Sequence, residues 1–454
     1  MKMKLFNRTI ICLTAVSFLF LSGCEDRNDL TAPSNPSTGS VDFTTFVTLG
    51  NSITAGYQSG SLYESAQKYS YGKQIANLVG TTYVQQLFSD PGTAGRIELS
   101  AFTTSGVSLT YNTSSGLPQN TSYTAAFNNL GIPGAILYDI VDETDFATKS
   151  TARSNALFSA ILRSSSFGAS MIKQALGKSP TVITLWIGNN DVLGYASSGG
   201  TKGTDAATGL LPTDVATFTY LYNLVGTQLA ASGAKVVVAN LPSISAIPYF
   251  TTVPAVLTSG TTTITLYGTT KSGVRALVYG EDLLLLTASS VLLDSSGQPT
   301  GVGLSASNPL PDKYVLDKDE VAIVNAAVTS FNSVISSVAT AKGFALADMN
   351  ALFNEFSVKN SSGSYVGKIV DGITFTPSYV TGNLFSLDGV HPTSRAQAII
   401  ANKFIEVINA KWSSSIPYLD VSLVPASLII AKKAQFSKYG IPIIEKGTFD
   451  NVLF

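Results

Sequence analysis

His391 is the single histidine of a 454-residue chain, and it stands in Asp388-Gly-Val-His391-Pro392. Imidazole is the one side chain whose unperturbed pKa places proton exchange near neutrality. The Asp388–His391 spacing lets the carboxylate accept from one ring nitrogen while the other faces a nucleophile, which is the orienting logic of a hydrolytic triad. A solvent-exposed or core histidine near a helix start would fit the same residues, so the spacing alone is a hypothesis.

A nucleophile is on offer near the other end. Gly50-Asn51-Ser52-Ile53-Thr54-Ala55-Gly56 follows directly on an apolar run that reads as a strand. In open α/β sheets reactive groups collect beyond the carboxyl ends of strands, and glycines around Ser52 allow close backbone approach. A helix N-cap at Ser52 or Thr54 is the plainer reading. Two further turns follow in order: Asn129-Leu-Gly131-Ile-Pro-Gly134-Ala135, and Gly188-Asn-Asn190-Asp191 at the end of Thr184-Leu-Trp-Ile187. The first offers backbone N–H groups and the second a side-chain amide, the donors that acyl transfer needs where oxyanion charge develops. Each segment by itself also fits an ordinary Gly/Asn turn.

Taken together, the early Ser, the Gly, the Gly-x-Asn-Asp and the late Asp-x-x-His resemble the SGNH (GDSL) hydrolase family, from about Phe43 to Asn409. Ala239-Asn-Leu-Pro242 resembles the family's linking segment. The resemblance implies a flavodoxin-like three-layer α/β/α fold with a mostly parallel sheet and β-rich insertions. It also implies that Ser52 is the nucleophile and an oxyanion donor through its own N–H. Gly134 then gives a second donor by its backbone and Asn190 a third by its side chain, while His391 is the base and Asp388 orients it. The reaction implied is two-step ester hydrolysis without metal or organic cofactor. One departure stands out: the family's Gly-Asp-Ser is Gly50-Asn51-Ser52, an exchange expected to touch loop geometry more than chemistry. No Gly-x-Ser-x-Gly surrounds Ser52, which argues against the nucleophile elbow of α/β-hydrolases.

The elements that must position these residues alternate as in a doubly wound α/β domain. Strands are expected at Phe43–Leu49, Val182–Ile187, Lys235–Ala239 and, more weakly, Phe344–Ala347. Helices are expected over Asp214–Ala231, over Asp317–Ala341 and after Pro392, each with one apolar face. The hydrolase domain spans 42–411. Insertions near 89–126 and 250–312 interrupt it with β-prone stretches, and 412–454 is a C-terminal extension of no clear assignment. Leu283–Leu286 with Val291–Leu293 fits either plain core or an acyl-binding groove, with core favoured.

The N-terminus reads as an address. Lys2, Lys4 and Arg8 precede an apolar run, Ile10–Phe20, too short to span a bilayer. Leu21-Ser22-Gly23-Cys24 resembles the lipobox of bacterial lipoproteins, giving a signal peptide over 1–23, a lipidated Cys24 and a polar Pro/Ser-rich tether over 24–41. An ordinary signal peptide leaving a free thiol is the alternative. Cys12 would leave with the leader, so no disulfide or Cys-based metal site is expected, and one histidine leaves no structural zinc site. After the leader no apolar stretch reads as a span. With net charge −1 and 13% charged residues, nothing suggests nucleic acid. The expected place is the bacterial cell envelope, lipid-anchored at the outer membrane on its periplasmic or surface side, and acidic residues after Cys24 resemble surface-export signals. The expected partner is a small-molecule, lipid or sugar ester. A surface lipoprotein using the same fold as a non-catalytic module for glycans or proteins is the rival. The Ser/Thr-rich insertions favour it, and the full proton-relay set speaks against it.

Overall fold

Alternation along each central strand decides the layers. In Phe46–Gly50 (β1), Val182–Trp186 (β3) and Lys235–Ala239 (β4), successive side chains point to opposite faces. Phe46, Val182, Trp186, Val237 and Ala239 enter one buried cluster. Val47, Leu49, Ile183, Leu185, Val236 and Val238 enter another. Both faces must therefore be covered, as in parallel sheets with crossover helices. Tyr71–Val79 (α2) and Ser394–Trp412 (α7) cover the first face. Val215–Ala231 (α5) and Lys318–Lys342 (α6) pack together against the second.

The structure, a computed structural model, describes residues 36–426 apart from 103–106, 204–210 and 260, together with 441–442, 444, 447–450 and 452–453. The expected leader 1–23, Cys24 and the tether up to residue 35 lie outside the described residues. The elements described belong to the unit Thr38–Phe454, one of two into which the chain divides, the other being Met1–Ser37.

Asn129–Gly131 (β2) and Ala345–Ala347 (β5) complete a five-stranded parallel sheet of order β5-β4-β3-β1-β2. This is the flavodoxin-like order, whose direction of winding reverses beside β1, between β1 and β3. The first strand begins at Phe46 rather than Phe43. Asp42 accepts from the N–H and hydroxyl of Thr44, which closes a turn before the strand can start. The short edge strand β2 replaces part of what reads in the sequence as a glycine-rich loop.

The insertions stand outside this sheet. Arg96–Phe102 pairs antiparallel with Val107–Asn112, Val256–Ser259 with Thr262–Thr265, and Tyr267–Thr270 with Gly273–Ala276. Leu284, Leu285, Leu286, Leu292 and Leu293 are all buried in the second cluster, so the Leu283–Leu293 run is core rather than groove. The C-terminal tail folds back: Ile444 bridges to Leu109, and the Phe449 ring meets Tyr249 edge-on at 6.1 Å.

One described helix, α6, is long and apolar enough to cross a membrane by length and composition. Its N-terminal end is capped by its own side chains. Asp317 accepts from the N–H groups of Asp319 and Glu320, while Glu320 accepts from the Asp317 N–H, a reciprocal capping box. Val324, Phe331 and Ile335 are buried, and the Phe331 ring stacks on Phe218 of α5 at 3.8 Å.

Candidate active site

The sheet's carboxyl ends gather the polar residues that the sequence singles out. β1 ends at Gly50, where a Cβ would lie 2.2 Å from Thr54 Oγ1 and 2.4 Å from the Trp186 carbonyl oxygen, so only glycine lets the chain turn there. Asn51 then caps the short helix Ser52–Ala55 (α1), its Oδ1 accepting from the Ile53 N–H. The cap is thus Asn51, one residue before the Ser52 that the plainer reading proposed. The Asn51 amide also donates to Asn189 Oδ1 at 2.9 Å, tying the turn after β1 to the turn after β3. An aspartate could not make that donation.

Ser52 is buried at the start of α1, and His391 Nε2 lies 2.9 Å from its Oγ. His391 Nδ1 lies 2.9 Å from Asp388 Oδ2. An ionised carboxylate only accepts, so Nδ1 carries the proton and Nε2 presents its lone pair to the Ser52 hydroxyl. Asp388 is fully buried. Burial alone would raise its carboxyl. Electrostatic attraction to the His391 ring and hydrogen bonds from its Nδ1–H and backbone N–H, with one from the Val390 N–H, outweigh that and hold Asp388 below the usual carboxylate range. The Gly60 N–H donates to Asp388 Oδ2 as well, at 2.9 Å.

Tyr57 has no counterpart in the sequence reading. Its ring packs 4.7 Å from that of His391, and its hydroxyl donates to the Gly60 carbonyl at 2.5 Å. The same hydroxyl accepts from the Leu453 N–H of the C-terminal tail at 3.2 Å. Burial pushes the phenol well above its ordinary pKa, so it stays protonated and able to donate. No local pattern signals the contacts with His391 and Leu453, which lie more than three hundred positions away.

The two remaining sequence candidates sit on adjoining loops. Asn190 opens the helix Asn190–Ala196 (α4), which follows Met171–Gly177 (α3), and lines a cavity with Ser52 and His391. One of its amide hydrogens goes to the Ala135 carbonyl at 2.9 Å, and among the described hydrogen bonds none takes the second. Gly134 adopts φ +77°, a left-handed turn that favours glycine. It is not among the residues lining that cavity, and among the described hydrogen bonds none takes its N–H.

Its loop is nevertheless firmly held. Asn155 donates to the Pro133 carbonyl at 2.7 Å, and Asp139 accepts from the Ile136 N–H while pairing with Arg153 at 3.0 Å. Asp191 accepts from the Leu137 N–H at 2.8 Å. These contacts fix the backbone on both sides of Gly134. No group of three or more His, Cys, Asp or Glu side chains able to hold a metal occurs among the described residues.

A model of the family described as GDSL-like lipase/acylhydrolase matches residues 46–404. No curated protein matches the chain. Among solved structures the chain is similar to an acetyl xylan esterase, at 15% identity and a TM-score of 0.32, covering 80% of this chain and 98% of that one. It is similar to an extracellular lipase from Streptomyces rimosus at 16% identity and a TM-score of 0.31, covering 81% and 98%. A phospholipase A1 from Streptomyces albidoflavus gives 15%, 0.29, and the same coverages of 81% and 98%.

Proposed function

Because this chain belongs to the GDSL-like lipase/acylhydrolase family and is a carboxylic ester hydrolase, we propose that it works through an acyl-enzyme on Ser52, with His391 as base and Asp388 as its orienting partner. The observation that carries this reading is the unbroken relay from Ser52 Oγ to His391 Nε2 and from Nδ1 to Asp388, 2.9 Å at each step. The Ser52 hydroxyl attacks the ester carbonyl while His391 takes its proton. Negative charge then collects on the carbonyl oxygen. The N–H groups of Ser52 and Gly134 and the free amide hydrogen of Asn190 are the donors proposed for it. The tetrahedral species collapses, the C–O bond to the alcohol breaks, and His391 returns the proton to the leaving oxygen. Water repeats the sequence on the acyl-enzyme, releasing the acid and restoring Ser52. Every proton moves between Ser52, His391, substrate and water, so the cycle closes without a cofactor.

We also propose that the protein sits at the bacterial outer membrane, with residues 1–23 removed, lipid on Cys24 and a tether that starts there and ends before Val41, which is buried in the core. What supports it is the sequence of the leader and of Leu21–Cys24.

The test is turnover of para-nitrophenyl esters by the full chain and its variants. Ser52→Ala and His391→Ala are each expected to lower kcat by roughly four to six orders of magnitude, and Asp388→Asn by somewhat less, all three keeping the fold. Near-wild-type hydrolysis by Ser52→Ala would remove it as nucleophile. Absence of Ser52-dependent hydrolysis on any ester would favour the binding-module alternative.

A further inference from the structure

The loop Asp388–His391 carries two of the three groups proposed to react, and the C-terminal tail braces it at two points. At the first, Tyr57 stands between loop and tail. Its ring packs on the His391 ring, and its hydroxyl donates to the Gly60 carbonyl while accepting from the Leu453 N–H. Gly60 in turn gives its own N–H to Asp388 Oδ2, the same oxygen that faces His391 Nδ1. Gly60 also lies so near the tail that a Cβ there would come within 2.9 Å of Val452 Cγ2. At the second point the Phe449 ring meets the Tyr249 ring, and the Tyr249 N–H donates to the Gly389 carbonyl at 3.0 Å. Gly389 directly follows Asp388. Ile441, Ile444 and Phe449 are buried in the cluster that holds Tyr57 and Tyr249, so the tail is anchored in the same core as both tyrosines.

We propose that Tyr57 is a positioning residue for Asp388 and His391, and that the tail locks it through the Leu453 N–H; this rests on His391 being the base for Ser52. The phenol ties the site together in two directions. Its oxygen takes the tail's N–H, and its hydrogen goes to the turn that presents the Gly60 N–H to Asp388. Without the hydroxyl, the Gly60 carbonyl loses its donor, and the ring beside His391 loses both ties at its far end. The imidazole has to stay within hydrogen-bond reach of Ser52 and Asp388 at once. A displacement on the order of 1 Å at such a centre can cost about a hundredfold in rate. Tyr57 acts on the proton relay rather than on bound ester, so its loss belongs in kcat and not in KM.

His391 is the single histidine, which gives the test a signal of its own. In the full chain carrying nitrogen-15 histidine and no polyhistidine tag, every imidazole resonance belongs to His391. Tyr57→Phe keeps the ring and removes the hydroxyl. It is expected to lower kcat on para-nitrophenyl butyrate about tenfold, to leave KM within about twofold, and to shift or broaden the His391 Nδ1–H signal. Leu453→Pro removes the N–H that the hydroxyl accepts, whereas Leu453→Ala shortens the same side chain and keeps it. Proline is expected to cost at least about threefold more kcat than alanine and to move the imidazole signal further. Once Tyr57 is Phe, that difference should vanish. A Tyr57→Phe enzyme with wild-type kcat, or with a lower kcat and an unmoved His391 signal, overturns the positioning role. Equal kcat for the two Leu453 variants, or a difference that persists beside Tyr57→Phe, overturns the lock. Should Tyr57→Phe fail to fold, the Leu453 pair and its imidazole signals decide alone. Absence of Ser52-dependent hydrolysis in the wild type sinks the esterase reading and this proposal with it. A wild type that turns over confines any failure to Tyr57 and the tail.

Discussion

At the scale of single residues, the side chains proposed to carry the chemistry could be read from type and order, but their supports could not. Ser52, Asp388 and His391 stand out because each is a reactive type in a turn-forming context. Asn51, Tyr57 and Asp191 matter through contacts that no spacing announces. Asp191 is the sharpest case. It is buried, accepts from the Leu137 N–H and the Thr213 hydroxyl at 2.8 Å each, and is raised by burial from an ordinary 3.8 to about 7. A folded-state pKa above the unfolded one means that the folded protein keeps a proton which the unfolded chain releases. The resulting stability is fully present below about pH 4 and is lost as pH rises through about 7. Asp191→Asn keeps an acceptor for Leu137, and the Thr213 hydroxyl can turn to accept from the new amide. The variant is therefore expected to flatten the decline in the denaturation midpoint between pH 4 and 7. An unchanged slope would place the titration elsewhere.

At the scale of elements, legibility followed length and pattern. The helices after Asp214 and Asp317 combine a carboxylate cap with a regular apolar face, and they form within a residue of where pattern puts them, at Val215–Ala231 and Lys318–Lys342. The strand Asn129–Gly131 has only three residues, too few for periodicity, and it forms because Thr48, Leu49 and Gly50 of β1 supply its hydrogen-bonding partners. The apolar run at Leu283 looks the same whether it lines a groove or fills a core. Only its burial in the large hydrophobic cluster shared with α5 and α6 decides that it is core. The cavity beside Ser52, in turn, is assembled from six or more separated segments and has no local signature. Its backing depends on the α5–α6 contact. Replacing Phe331 by Ala removes the ring stacked on Phe218 and opens a cavity in a fully buried site, which is expected to cost about 3–5 kcal/mol. A fall of several degrees in the thermal midpoint checks it. A shift under one degree would mean that α6 settles into the gap.

At the scale of the whole molecule, cysteine count and charge together make the proposed anchor testable in one assay. The chain has two cysteines, Cys12 within the apolar part of the leader and Cys24 at its end, and a net charge of −1. A single acyl chain gives only marginal membrane binding, and the mature chain, having lost Lys2, Lys4 and Arg8 with the leader, would carry a formal net charge of −4, which adds no attraction to an anionic surface. Stable anchoring would therefore need more than one chain on Cys24 or its new amino terminus. Under that reading the mature protein, once denatured, has no free thiol and stays with the membrane fraction through a high-salt wash. Cys24→Ser should become soluble while keeping wild-type kcat/KM on a water-soluble ester, since Cys24 takes no part in the proposed chemistry. Ordinary signal cleavage before Cys24 predicts the reverse pair, one titratable thiol and no change in partitioning upon Cys24→Ser. Thiol count and partitioning move in opposite directions under the two readings, so a single purified preparation separates them.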